Sequence, residues 1–229
     1  TDDYGNVIGH ITAGDAFTTA DGANVALGCN ALGAATDNLT NIAIGCHALA
    51  ASVNDADCNI AIGKAAMGGA DVSGASNIAI GASALAANTT ADYSIAIGYQ
   101  SMDANTTGEN NTALGTSSLG ANTTASNNTA VGFESLKTNT IGNNLTASGY
   151  QSLYSNTDGD SSVAFGYKSL YSNTTGGTNT AIGFDALYSN TTASDNVGVG
   201  SWALYSNTTG ATNTAIGRSA LYANTTASN

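Results

Sequence analysis

"NTAIGFDALYSNTTASD" occupies residues 179–195, "NVGVGSWALYSNTTGAT" residues 196–212 and "NTAIGRSALYANTTASN" residues 213–229. Three near-copies of seventeen residues, laid end to end, point to a repeat architecture rather than to an ordinary globular core. The glycine that closes the "AIG" triplet serves as a landmark. It stands at Gly28, Gly45, Gly63, Gly81, Gly98, Gly115, Gly132, Gly149, Gly166, Gly183, Gly200 and Gly217. Successive spacings are 17, 18 and 18, then 17 throughout, so twelve units tile residues 24–229 without remainder. Residues 1–23, with "NVIG" at 6–9 and Phe17, stand apart; a cap, a degenerate first coil or a linker would all suit them, and a cap is the preferred expectation.

Aligned on that glycine, the units show fixed columns. Four residues after it lies Leu or Met: Leu32, Leu49, Met67, Leu85, Met102, Leu119, Leu136, Leu153, Leu170, Leu187, Leu204 and Leu221. One residue before it the side chain is Ile, Leu, Val or Phe except at Ser148, and the middle strand position is Ala except at Gly198. Four before it Asn predominates, from Asn24 to Asn213, and seven after it Asn recurs from Asn88 to Asn224.

Helix-pair repeats need about 33–47 residues, so a unit this short and this rich in Gly, Asn and Thr excludes them. "NTAIG" alternates as a β-strand does, "ALYS" is expected to give a second short strand, and "NTTG" and "NTTA" are turn-prone. The expected fold class is all-β: a parallel β-solenoid of twelve coils, about 17 residues each, with every strand paired to its copy one coil later. Stacked Leu would form the core and stacked Asn would hydrogen-bond along the column. The chain contains no proline, as expected where each N–H serves the neighbouring coil. The 18-residue units, 41–58 and 59–76, are expected to hold their extra residue near Asn54–Asp57 and Asp71–Ala75. In unit 145–161, Ser148 stands where a core apolar residue is expected and Leu145 where Asn is expected, which suggests a slip or a core defect.

From the Asn column to the Gly column no unit carries a charge. Both faces of such a strand lack an ordinary solvated character, and the Ala column suggests close approach of another backbone. A second chain against this sheet is therefore expected.

A net charge of −12 with only four Lys and Arg excludes nucleic acid and anionic membranes as partners. No apolar run is long enough for membrane insertion by a helix. His10 and His47 are the only histidines and no nucleophile–base–acid set accompanies them, so no enzyme activity and no cofactor are expected.

The stretches "NIAIG" (41–45, 59–63, 77–81), "SIAIG" (94–98), "SVAFG" (162–166) and "NTAIG" (179–183, 213–217) resemble the head repeat of YadA-like trimeric autotransporter adhesins. Longer forms resembling "NTAIGxxALYSNTTG" are similar to repeats of phage and viral tail-fibre proteins. The likeness covers residues 24–229; the family's commonest head unit is shorter, and no neck, stalk or membrane-anchoring barrel is recognisable in the chain. The resemblance implies a left-handed β-roll, a homotrimeric rod, and an extracellular or virion-surface shaft that attaches to a host surface glycan or receptor. Alternatives are a self-assembling filament built by end-to-end stacking, for which the last unit ending flush at Asn229 speaks, and an ice-binding solenoid.

Several columns are candidate sites. Tyr154, Tyr171, Tyr188, Tyr205 and Tyr222 form a stripe that either stacks on sugar rings or packs as a structural ladder; Tyr99, Phe133, Tyr150, Tyr167 and Phe184 form a second one, read as packing. Candidate glycosylation sequons begin at Asn88, Asn105, Asn122, Asn173, Asn190, Asn207 and Asn224, with others at Asn38, Asn110, Asn127 and Asn144; repetition multiplies any accidental sequon, so bare side chains are the preferred expectation. Thr174, Thr191, Thr208 and Thr225 follow Asn in a turn rather than on a flat sheet, which weakens the ice-binding reading. Asp92, Glu109 and Asp160 share a column, and "NTDGD" (156–160) resembles a calcium loop too short to supply six oxygens; a solvated acidic edge is expected and no metal. Cys29 and Cys46 share a column on adjacent coils, at a spacing open to either a disulfide or free thiols, with Cys58 left over.

Overall fold

The computed structural model of the chain describes residues 5–10, 12–16, 22–36, 38–53 and 56–228. Phe17, Asn54, Asp55 and Asn229 lie outside these residues. The fold is all-β, a parallel β-solenoid whose strands recur about every 17 residues. It divides into two compact units, Thr1–Leu114 and Gly115–Asn229. The first contains β1 (Val7–Ile8), β2 (Val25–Leu27), β3 (Ile42–Ile44), β4 (Ile60–Ile62), β5 (Ile78–Ile80), β6 (Ile95–Ile97) and β7 (Thr112–Leu114). The second contains β8 (Thr129–Val131), β9 (Thr146–Ser148), β10 (Val163–Phe165), β11 (Thr180–Ile182), β12 (Val197–Val199) and β13 (Thr214–Ile216).

Within each unit every strand pairs in parallel with the next, like residue on like. Ile42, Ala43 and Ile44 face Ile60, Ala61 and Ile62; Thr180, Ala181 and Ile182 face Val197, Gly198 and Val199. The register absorbs the 18-residue units. In 59–76 the strand and Met67 stay in step with the next coil, and Ser73 and Gly74 both donate to Thr89 O, so the extra residue is taken up between Gly69 and Gly74. Residues 6–9 repeat the start of a coil: Val7 and Ile8 pair with Val25 and Ala26, and Asn24 N–H donates to Asn6 Oδ1 at 2.8 Å.

Among the described residues each of the twelve coils holds one three-residue strand, and the expected second strand is absent. "ALYS" is turn throughout, as at Ala186–Ser189. The reason lies in the backbone: Leu187 has φ 52°, Asp185 φ 51° and Asp195 φ 62°, and these positions are left-handed in every other complete coil. An L-residue pays about 1–2 kcal/mol for that conformation. It swings the Leu side chain inward while its N–H still reaches the next coil, as Leu187 does to Ala203 O at 2.9 Å. The landmark glycine is obligatory for a different reason. Gly183 has φ 136°, and a β-carbon there would lie 2.6 Å from the Gly200 carbonyl.

Six columns point inward: the two Asn columns, the middle strand Ala, a Ser or Ala followed by the Leu or Met, and an Ala or Gly after the second Asn. Leu32, Leu49, Met67, Leu85 and Met102 in the first unit, and Leu119, Leu136, Leu153, Leu170, Leu187 and Leu204 in the second, are fully buried. Each such burial contributes about 1.5–3 kcal/mol. Leu221, expected in the same core, is 48% exposed in the last of the twelve coils.

The strand is oriented opposite to the expectation. Its Ala is buried, while the larger residues on either side face outward and are half-buried or exposed. The Ala column is small because the coil's own Leu fills the interior, so its size carries no evidence of a second backbone. Ser148 therefore lies on the outer face and leaves no defect in the core. Leu145 is buried in the Asn column without any slip, since Ala147 stays opposite Ala130 and Ala164.

Candidate functional surface

The asparagine columns are structural braces. Asn179 Nδ2 donates across its coil to Ala193 O at 2.8 Å, and its Oδ1 accepts the Asn196 N–H at 3.0 Å. In the second column Nδ2 bonds both to the carbonyl three residues on and to the amide oxygen of the preceding coil. Asn173 does so to Gly176 O (2.8 Å) and Asn156 Oδ1 (2.9 Å), and Asn190 repeats the pattern on Asn173. Of the candidate sequons, Asn88, Asn105, Asn122, Asn173, Asn190 and Asn207 are fully buried and their amide nitrogens are engaged, leaving no site for a glycan on the folded coil. Asn224, in the last coil, makes the same bonds to Asn207 and Ala227. Sequon asparagines 110, 127 and 144 are exposed, and Asn224 is half-buried.

Threonine and acidic columns also bind neighbouring coils. The hydroxyls of Thr174, Thr191 and Thr208 donate to the backbone oxygen of the next threonine at 3.0–3.2 Å, so their protons are directed along the stack. Asp57, Asp92 and Asp160 each accept the backbone N–H of the preceding coil, from Leu39, Ala75 and Asn143. Asn143 and Ser194 perform the same service for Ser126 and Gly177, so the column caps N–H groups whether or not it is charged. Among the described residues no group of three or more His, Cys, Asp or Glu is placed to hold a metal.

Two surfaces remain for recognition. The first is the outer face of the strands in each unit, where Leu114 (45%) in the first unit and Phe165 (55%) and Ile182 (41%) in the second are exposed apolar side chains. The second is a pair of aromatic ladders in the second unit. Tyr154, Tyr171, Tyr188, Tyr205 and Tyr222 stack at 5.1–5.2 Å between centroids with planes within 13°. Phe133, Tyr150, Tyr167 and Phe184 stack at 5.0–5.4 Å, and Trp202 meets Phe184 edge-on. Tyr99, expected in this second column, is exposed in the first unit. Interior rings turn their faces to each other, so the ladders offer edges rather than open faces to a ligand.

Between the ladders runs the column Glu134, Gln151, Lys168, Asp185 and Trp202. Lys168 Nζ lies 5.0 Å from the Tyr171 ring centre and 5.5 Å from that of Tyr167, Lys137 reaches Tyr154, and Arg218 stands over Trp202. Three of the chain's four basic residues are thus set against aromatic rings. Burial would raise the Glu134 carboxyl, but hydrogen bonds from Lys137 and Gln151 outweigh it and hold the group below the ordinary carboxylate range. Asp185 moves the other way: burial raises it, only partly offset by the Trp202 indole and the Lys168 charge. Column identity was readable in the sequence; the placing of Lys168 with the Glu134 and Asp185 carboxylates between two ladders was not, because it depends on which turn residues face outward.

Compared with family models, curated proteins and solved structures, the chain matches none. Among the described residues no helix is long and apolar enough to cross a membrane.

Proposed function

We propose that the chain is a non-enzymatic structural solenoid that associates with further copies of itself, as a homotrimer, to form the shaft of an extracellular or virion-surface fibre that attaches to a host surface. One observation carries the reading: the outward face of the sheet is free of charge in every coil and apolar in most, while its inward face already packs a complete core. Such a face on an otherwise polar, acidic chain is what a docking surface needs. The trimer count follows the resemblance to adhesin heads, and the fibre role follows from a backbone braced coil by coil through buried asparagines.

The attachment surface in this reading is the pair of aromatic ladders with the Lys168–Asp185 row between them. Sugar hydroxyls would meet ring edges, the lysine and the carboxylate. Sedimentation of the purified chain should give three times the monomer mass, and Ile182→Lys should reduce it to a monomer with an unchanged circular dichroism spectrum. A wild-type monomer at micromolar concentration overturns the self-association. The wild-type oligomer should be retained on an array of immobilised glycans, and Lys168→Ala should lose that retention without altering the mass; equal retention of both removes the ladder from the attachment role.

A further inference from the structure

Cys29 and Cys46 follow the landmark glycines Gly28 and Gly45, and the register of β2 on β3 carries through both. Leu27 faces Ile44, Gly45 N–H donates to Leu27 O at 2.8 Å, and His47 N–H donates to Cys29 O at 2.8 Å. Stacked residues in a parallel sheet lie about 4.8 Å apart. Disulfides form at Cα separations of about 4.4–6.8 Å. Burial first, and then the neighbouring Cys29 thiol, push the Cys46 thiol up, against the Lys64 charge one coil on. Cys29 is exposed and Cys46 half-buried.

Cys58 lacks this arrangement. Its column neighbours one coil either way are Thr40 and Ser76, and its sulfur lies 3.1 Å from the Thr40 hydroxyl. The chain therefore contains one stacked thiol pair and one thiol with no sulfur above or below it.

We propose that Cys29 and Cys46 are a redox staple, a dithiol that a small-molecule disulfide oxidises to a cystine joining coil 24–40 to coil 41–58. The exposed Cys29 thiolate attacks the small disulfide, forming a mixed disulfide and releasing one thiol. Cys46 then loses its proton and attacks the Cys29 sulfur, closing the Cys29–Cys46 bond and releasing the second thiol. Two protein thiols are oxidised, one external disulfide is reduced to two thiols, and dithiothreitol reverses the exchange. The bond crosses from one coil to the next without altering register, because the column already holds the two residues one rung apart.

The test uses the full chain and oxidised glutathione. Peptide mapping of the full chain should recover a Cys29–Cys46 cystine two hydrogens lighter than the separate thiols, with glutathione retained on the exposed Cys58 alone. In Cys46→Ser the reaction should stop at a persistent glutathione adduct on Cys29, whereas Cys58→Ser should still lose both remaining thiols. Stable glutathione adducts on both Cys29 and Cys46, covalent dimers through either one, or three thiols left unreacted each overturn the proposal.

Discussion

A β-carbon placed on Gly198 would lie 3.3 Å from both Cγ and Cδ1 of Leu187 in the preceding coil. The narrow interior is thus shared between a small strand residue and a large side chain delivered from a left-handed turn. Every other complete coil places Ala where Gly198 stands, so the gap can hold one methyl group after a small shift of Leu187. Gly198→Ala should raise stability by about 0.4–1 kcal/mol by restricting the unfolded chain. Ala181→Leu in the same column should lower it by about 1–3 kcal/mol through overpacking. Urea midpoints decide the matter; a tolerated Ala181→Leu would mean that the strand faces the other way.

Asn173 sits in a continuous row of carboxamides, donating to Asn156 Oδ1 and Gly176 O and accepting from Asn190. Truncation to Ala strands three buried polar groups in a site without solvent, each worth about 1–3 kcal/mol. Asn173→Ala should therefore cost about 3 kcal/mol or more, while Thr175→Ala on the exposed turn beside it should stay within about 0.5 kcal/mol. Comparable denaturation midpoints for the two variants would show that the asparagine row is not a brace.

The repeat period, the Leu column and the Asn stacks are legible in the sequence because in-register coils must place like on like, and the columns state this directly. The orientation of the strand is not. Alternation separates Ile42 and Ile44 from Ala43 but does not say which side is inside, and side-chain size favours the wrong face. The decision belongs to Leu49, which enters the coil from a turn with φ 48° and leaves room only for Ala. No residue preference announces a left-handed leucine, so "ALYS" reads as strand and folds as turn. The sequons fail for a related reason: an Asn-x-Thr pattern is written identically whether its amide faces solvent or, as at Asn173, the interior.

Asp185 links stability to pH. Its Oδ1 is buried with no hydrogen-bond partner, and burial raises the carboxyl above its ordinary range. A raised folded pKa means that the fold favours the protonated acid. That contribution is fully present below the unfolded value of about 3.9 and is lost as pH rises through the folded value. At pH 7 the ionised carboxylate therefore weakens the fold. Asp185→Asn should raise the thermal midpoint at pH 7, and the difference should shrink towards zero near pH 3. A lower midpoint for Asp185→Asn at both pH values would mean that the Lys168 and Trp202 contacts outweigh burial.

Tyr188 stands between two rings, 5.2 Å from Tyr171 and 5.2 Å from Tyr205, whereas Tyr222 stacks on Tyr205 alone among the described residues and is 44% exposed. Each stacked pair adds about 0.5–1.5 kcal/mol beyond the area it covers. Tyr188→Leu removes two pairs and should cost about 1–3 kcal/mol, whereas Tyr222→Leu removes one exposed pair and should cost under about 1 kcal/mol. Tyr188→Phe keeps both stacks and should lie within about 0.5 kcal/mol of the parent, which separates ring contact from any role of the hydroxyl. The near-ultraviolet circular dichroism of the ladder should fall more in Tyr188→Leu than in Tyr222→Leu, because only the former divides the row. Equal losses of stability and of signal in the two leucine variants would reduce the ladder to independent surface tyrosines.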